Sequence, residues 1–323
     1  MILRDCDNWS IYYWKVEPQT VKMPNITTWT LYNVTFPSQL AAVNITLNTY
    51  ILISNVLVIM TLKRMGKLTI QHYYILGLVG SDLIVFVINT AAAVIEIKRE
   101  VRISQALCAV LGISSAAACI TTALIHTAMS VDRWVSVQFP FKYRTFQSGE
   151  KSRLITVTII VSCFVLPYVY MILLHIFGYL GVYFGQSMPF CMITSGKRGL
   201  FAMLSCAVIF VILPSTIQAF TNIHMLIKVT KLQGATRTRT IKSVKTVITT
   251  LGVFYLCWFP IGIWLLWDMS ISSHPNGVFA YFAIRMLVCN SGMSFPIYIR
   301  TLPGFKEKFM SMIRRCNAQV HSV

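Results

Sequence analysis

The chain has 323 residues, 56% of them hydrophobic and only 12% charged, with a mean hydropathy of +0.66 and a formal net charge of +18. Soluble domains carry about 25% charged residues, so this balance excludes a soluble protein and describes a polytopic membrane protein. The length suits about seven spans of ~20 to 25 residues with short loops, which leaves almost nothing for a soluble domain.

Residues 1–40 are polar and spotted with aromatics, and they read as an extracellular tail. Asn8-Trp9-Ser10, Asn25-Ile26-Thr27, Asn33-Val34-Thr35 and Asn44-Ile45-Thr46 are the glycosylation sequons of the chain, and all precede or touch the first span. Their clustering places the N-terminus outside, with glycans expected on Asn8, Asn25 and Asn33; Asn44 lies too close to the membrane. The start, Met1 to Asp5, lacks the apolar core of a cleavable signal peptide, so the first span is expected to act as the insertion signal.

A bundle occupying residues 41–300 follows. The first span, Ala41 to Leu62, carries Asn55 in an apolar run, which reads as an interhelical hydrogen-bonding group. The second, Ile70 to Ile97, carries Asp82 near its middle. An intramembrane carboxylate is costly and so reads as functional; the structural alternative is a protonated Asp82 bonded to Asn55. The third begins near Cys108 and ends in Asp132-Arg133-Trp134. Along it Ser115, Cys119, Thr122, His126 and Arg133 recur at helical steps, which puts them on one inward face. His126 reads as a buried neutral histidine with one hydrogen bond, with a pH-sensitive group as the alternative.

The fourth span, Leu154 to Ile176, contains Pro167, and the loop after it holds Cys191 in the same outer, oxidising compartment as Cys108. A disulfide between the two is expected to tie that loop to the third helix. Pro214 interrupts the fifth span, Gly199 to Thr230, and Phe254-x-x-Cys257-Trp258-Phe259-Pro260 lies in the sixth, Thr240 to Met269. Each proline removes a helix bond and creates a hinge, and Trp258 sits two residues before the second one. A Lys/Arg/Thr-rich connector joins these spans. The seventh, Val278 to Arg300, holds Arg285 and the run Asn290 to Tyr298. In residues 301–323, Phe305, Phe309, Met312 and Ile313 form an apolar face among Lys306, Lys308, Arg314 and Arg315, the pattern of an amphipathic helix on the inner leaflet lipids. Cys316 is a palmitoylation candidate.

Most of the 28 Lys and Arg fall in the loops and tail that this orientation makes cytoplasmic, opposed there only by Asp132, Glu150 and Glu307. That positive-inside pattern accounts for the charge without nucleic acid. The six histidines show no metal-ligand spacing and no nucleophile motif occurs, which argues against an enzyme. A small secondary transporter is the rival class, but the sequence shows no internal repeat and only Asp82, Arg285 and His126 as ionisable groups inside, where several at the midplane are expected.

Taken in order, Asn in the first span, Leu-x-x-x-Asp in the second, and Cys followed by Asp-Arg-aromatic in the third begin a recognisable series. A loop Cys, the fifth-span Pro, Phe-x-x-Cys-Trp-x-Pro and a seventh-span Pro complete it. From about Ala41 to Cys316 the chain resembles a rhodopsin-like (class A) G-protein-coupled receptor. The resemblance implies an all-α seven-helix receptor in the plasma membrane, with a heterotrimeric G protein and arrestin as inner partners. Asp82, Thr122, Asn290 and Ser294 match its allosteric sodium cluster; no other cofactor is implied. Asp132, Arg133, Trp134 and Tyr298 match its coupling residues, and Phe254, Trp258, Pro260 and Pro214 its toggle and hinges. Ser115, Cys119, Cys206, Ile261, Leu265 and Ile284 match the ligand cavity.

The chain also departs from the pattern. The fourth span lacks Trp, Trp134 replaces Tyr, and Pro296 stands one place late in the seventh-span motif. Thr240 stands where an acidic partner of Arg133 often sits, which predicts raised basal signalling. Ser115 in place of an Asp disfavours amine ligands, and a seventh span without Lys disfavours retinal. The mostly apolar cavity, with Glu96 and Arg285 near its outer half, suits a peptide terminus or an uncharged or acidic small molecule. A non-signalling or decoy receptor is the alternative within the family.

Overall fold

The structure, a computed structural model, describes residues 17–21, 29–33, 38–66, 68–97, 104–147, 149–184, 191–195, 204–231, 234–270 and 277–320. Strands β1 (Glu17–Val21) and β2 (Trp29–Asn33) pair antiparallel ahead of the helices, in a tail whose composition gave no periodic signal. Asn8 and Asn25 lie outside the described residues, as does the side chain of Asn33.

Long apolar helices follow: α1 (Ser38–Arg64), α2 (Ile70–Ile97), α3 (Gln105–Gln138) and α5 (Glu150–Ile176), with the short α4 (Pro140–Gln147) between the last two. Helices α6 (Leu204–Thr230) and α7 (Gly234–Ser270) complete, among the described residues, a set of six long and apolar enough to cross a membrane. The seventh span is the bent pair α8 (Gly277–Asn290) and α9 (Ser294–Thr301), and α10 (Phe305–Val320) lies after it. Between α5 and α6, β3 (Leu180–Phe184) pairs with β4 (Cys191–Ser195), and Cys191 is disulfide-bonded to Cys108 at the start of α3. Side chains such as Leu166, Phe220, Leu256 and Phe259 are exposed on the outside of the helices, as a lipid-facing surface requires.

α3 is the central post, touching α2, α5, α6 and α7. Its start is capped by Ser104, whose hydroxyl accepts the Leu107 N–H at 3.2 Å. It ends where Phe139 closes the last turn on Val135 and Pro140 has no N–H to continue. In α6, Pro214 likewise gives the Phe210 carbonyl no donor, and the chain ahead of it loosens into π-helix over Ala207–Ile212.

Two elements differ from the sequence expectation. The hydrophobic stretch of the sixth span continues inward as helix to Gly234, so the second half of the Lys/Arg/Thr-rich connector is helical. Residues of that segment, Ala235, Thr236 and Arg237 among them, include good or tolerable helix formers and no proline. The seventh span is not one helix from Val278 to Arg300 but bends by 43° over Ser291, Gly292 and Met293, whose N–H groups bond three residues back, to Val288, Cys289 and Asn290. α1 caps this break: Ser54 Oγ donates to the Gly292 carbonyl at 2.7 Å, and Asn55 Nδ2 donates to the Ser291 carbonyl at 2.9 Å. A Cβ at Gly292 would collide with the Tyr50 ring, so the break needs glycine for close approach. The displaced Pro296 is harmless, since it lies in the first turn of α9, where helix N–H groups have no partner to lose.

The turn into α10 runs through Gly304 at φ +76°. Phe305 is fully buried and the Phe295 ring packs on those of Phe305 and Phe309, so α10 is held against the inner end of the bundle by the face the sequence indicated. Lys306, Lys308, Arg314 and Arg315 are exposed. The Cys316 side chain lies outside the described residues.

Candidate functional site

Two polar layers lie on the inward face of α3. In the lower one, Arg133 pairs with its neighbour Asp132 at 3.0 Å, the two side chains 11% and 9% exposed. Tyr143 of α4 donates its hydroxyl to both Asp132 oxygens, at 2.9 and 3.0 Å. Burial, and then the Asp132 carboxylate beside it, pushes the Tyr143 phenol above its ordinary pKa, so it stays a donor. Sequence reading placed the Asp132–Arg133 pair but missed Tyr143, eleven residues on and across a helix end. Trp134 turns the other way, to α6, where its Nε1–H donates to His224 Nδ1 at 3.1 Å and its ring lies beside Phe220. Gln138 also meets His224, and Lys228 Nζ donates to Gln138 Oε1 at 2.8 Å. Tyr298, on α9, is fully buried and packs with Val58, Leu62, Ile75 and Phe305. The Thr240 side chain lies outside the described residues.

The upper layer surrounds a small cavity. Asp82 from α2, Thr122 from α3, and Asn290 and Ser294 flanking the α8–α9 break all line it, so the four residues of the expected ion cluster do converge. Ser294 donates to Asp82 Oδ2 at 3.1 Å. Thr122 donates to the Ala118 carbonyl at 3.1 Å and shares a 2.9 Å hydrogen bond with Ser81. Asn55 bonds backbone carbonyls of α1 and the break, so the Asp82–Asn55 alternative is not the arrangement found. A carboxylate, two hydroxyls and an amide are hard oxygen donors, which fits a small hard cation. His126 and Thr250 also line the cavity, closed by Leu78 and Ile297. Thr250 was not anticipated, although it stands one turn before Phe254 on the same face of α7. His126 stacks obliquely on Phe254 at 5.1 Å, and its Nδ1 has no hydrogen-bond partner among the described residues.

Phe254 also touches Trp258, at 4.9 Å between centroids, so the expected toggle residue is joined through Phe254 to His126 of the cavity lining. Above it the expected ligand residues divide. Ser115 and Cys119 are half-buried on α3, and Cys206 packs with the cluster around the Cys108–Cys191 bridge. Ile261 and Ile284 instead pack with Trp264 and Ile51 on the far side. The side chains of Leu265 and Glu96 lie outside the described residues. Arg285 is 7% exposed, donates to Asn89 Oδ1 at 2.8 Å and lies over the Tyr281 ring; Asn89 in turn donates to Asn48 of α1. This polar link across three helices was signalled by Arg285 alone. Asn44, the fourth sequon, is fully buried on α1.

A central post α3 carries a buried Asp-Arg pair at one end and a disulfide-tied hairpin at the other. The family model of the seven-transmembrane receptor (rhodopsin family) matches residues 54–295, from the Ser54 that caps the helix break to the Phe295 that anchors α10. Members of that family are receptors that signal through G proteins, not enzymes. With three quarters of its length matched and its spans in place, the chain belongs to the rhodopsin family of seven-transmembrane receptors.

Proposed function

We propose that this receptor sits in the plasma membrane with its N-terminus outside, takes an extracellular ligand in the outer half of the bundle and catalyses nucleotide exchange on a heterotrimeric G protein inside. The observation that carries the reading is the buried Asp132–Arg133–Tyr143 cluster, a charge held out of water at the face where the positive-inside rule puts the cytoplasm. Thr240 in place of an acid supports raised basal signalling. Arrestin is the expected second inner partner.

The test is basal exchange on a panel of purified heterotrimers by membranes carrying wild type or Arg133→Ala. Exchange on at least one heterotrimer, abolished by Arg133→Ala, is expected; a surface-localised wild type indistinguishable from Arg133→Ala on every one overturns raised basal signalling and leaves a ligand-dependent receptor or a non-signalling one, to be separated by a ligand screen. Repeating the assay in sodium against choline tests the ion. Sodium is expected to lower exchange in wild type and to have no effect in Asp82→Asn; equal responses would remove the ion from the account. The residues that would hold it are Asp82, Thr122, Asn290 and Ser294, and the charge it supplies would hold α2, α3 and the α8–α9 break together.

For the ligand, the half-buried Ser115 and Cys119, with Ile261 and Ile284, support an apolar body, and Arg285 supports an acidic or acceptor-bearing end, as in a peptide terminus or a small acid. Loss of glycosidase-sensitive mass in Asn8, Asn25 and Asn33 variants checks the outside orientation. Hydroxylamine-sensitive acylation that vanishes in Cys316→Ser checks the lipid anchor.

A further inference from the structure

Gln218 is a polar side chain in the middle of the apolar helix α6, 2% exposed, and it uses both ends. Its Nε2 donates to the Ala123 carbonyl at 3.1 Å and to Thr127 Oγ1 at 2.6 Å, both on α3. Its Oε1 accepts the Tyr255 hydroxyl of α7 at 2.6 Å. Tyr255 is next to Phe254, and their rings pack edge to face at 5.4 Å; Phe254 in turn carries Trp258 on one side and His126 on the other. One glutamine thus joins the central post to the helix that bears the proline hinge, one residue away from the aromatic stack on the cavity wall.

The inner half of α7 packs against the inner half of α3. Val247 and Leu251 bury against Ile125 and Met129 of α3, and Arg133 beneath them is 9% exposed. A protein can engage that guanidinium only after this half of α7 moves, and Pro260 is the weak point about which it can turn. Leu, Ile or Val at position 218 would pack in this environment without any polar obligation, whereas a buried amide is tolerated only when its hydrogen bonds are made.

We propose that Gln218 is a positioning residue for signalling, a three-helix pin that holds α7 in its closed position by linking Tyr255 to α3. The role rests on the G-protein reading for its consequence and on the observed hydrogen bonds for its mechanism. With the pin made, closed α7 gains one short hydrogen bond to a buried amide that itself is tied to the immobile post. When α7 turns outward the Tyr255 hydroxyl leaves Gln218 Oε1, so the bond favours the closed state alone. A net hydrogen bond corresponds to about a three- to tenfold shift in such an equilibrium.

The test uses the full-length receptor in lipid nanodiscs, with spin labels at Ile241 on α7 and Leu154 on α5, both exposed, and reads the distance distribution between them. Tyr255→Phe keeps the ring and cuts only the link to α7, and Gln218→Leu cuts both links. Each is expected to enlarge the long-distance population about three- to tenfold over wild type, and the double variant no further than either single one, because the two side chains form one bond. Basal exchange should rise in parallel and vanish with Arg133→Ala. Unchanged distance distributions in both single variants overturn the proposal, even if their melting temperatures fall, as a purely structural role would have it. Additive shifts in the double variant overturn it too. If distances lengthen while no variant exchanges nucleotide on any heterotrimer, the pin stands and the coupling reading fails.

Discussion

Asp132→Asn is expected to raise ligand-independent exchange by about tenfold. The carboxylate holds Arg133 at 3.0 Å in a site where both side chains are nearly buried, so neutralising it leaves a desolvated cation facing an amide oxygen. Removing one partner of a buried ion pair costs about 3–5 kcal/mol. Only part of that appears in the switch, because Arg133 regains other partners when the inner end opens; about 1.4 kcal/mol of bias toward the open state is a factor of ten. The Tyr143 hydroxyl still finds an acceptor in the amide, so α4 stays docked and the effect isolates the charge. Exchange equal to wild type at matched surface density would show that the pair does not restrain Arg133.

Cys108→Ser is expected to strip the receptor from the cell surface. The bridge to Cys191 closes a separation of 83 residues, and loss of a native disulfide spanning a long loop costs about 2–5 kcal/mol. Here the bridge also fastens the β3–β4 hairpin onto the outer end of α3, where Cys108, Cys191 and Leu180 are buried with Ile113 and Met171. Cutting it frees that cluster from the post that the outer ends of α5 and α6 lean on. Surface immunolabelling of Cys108→Ser and Cys191→Ser should give the same loss, and the double variant no more. Wild-type surface levels in either single variant would mean the hairpin is held by packing alone.

Features set by local composition were legible in the sequence. Six spans announce themselves as apolar runs, and the spacing of Ser115, Cys119, Thr122, His126 and Arg133 gives the buried face of α3 directly, since a helix repeats every 3.6 residues. The four residues of the expected ion cluster were named through resemblance, and one cavity gathers all four. What escaped depends on contacts between distant segments. Tyr143 reaches Asp132 only because Pro140 ends α3 and turns α4 back beneath it. Gln218 carried a signal as well: an amide in an apolar span demands partners, just as Asn55 does. The seventh span misled for a related reason. The displaced Pro296 left the place of the bend open, and the chain bends at Ser291–Met293, where Ser54 and Asn55 of α1 take up the freed carbonyls. The split of the ligand residues between the Cys206 and the Ile284 clusters depends on helix rotation, which a single sequence does not specify.

The account rests on a closed inner end that a G protein must open to reach Arg133. The most direct measurement is the distance between spin labels at Ile241 and Leu154 in the otherwise wild-type receptor, before and after addition of each nucleotide-free heterotrimer of the panel. At least one heterotrimer should shift the distribution to longer distances, and excess guanine nucleotide should restore the short one. A distribution that no heterotrimer changes, in receptor shown to be folded and correctly inserted, would contradict the account.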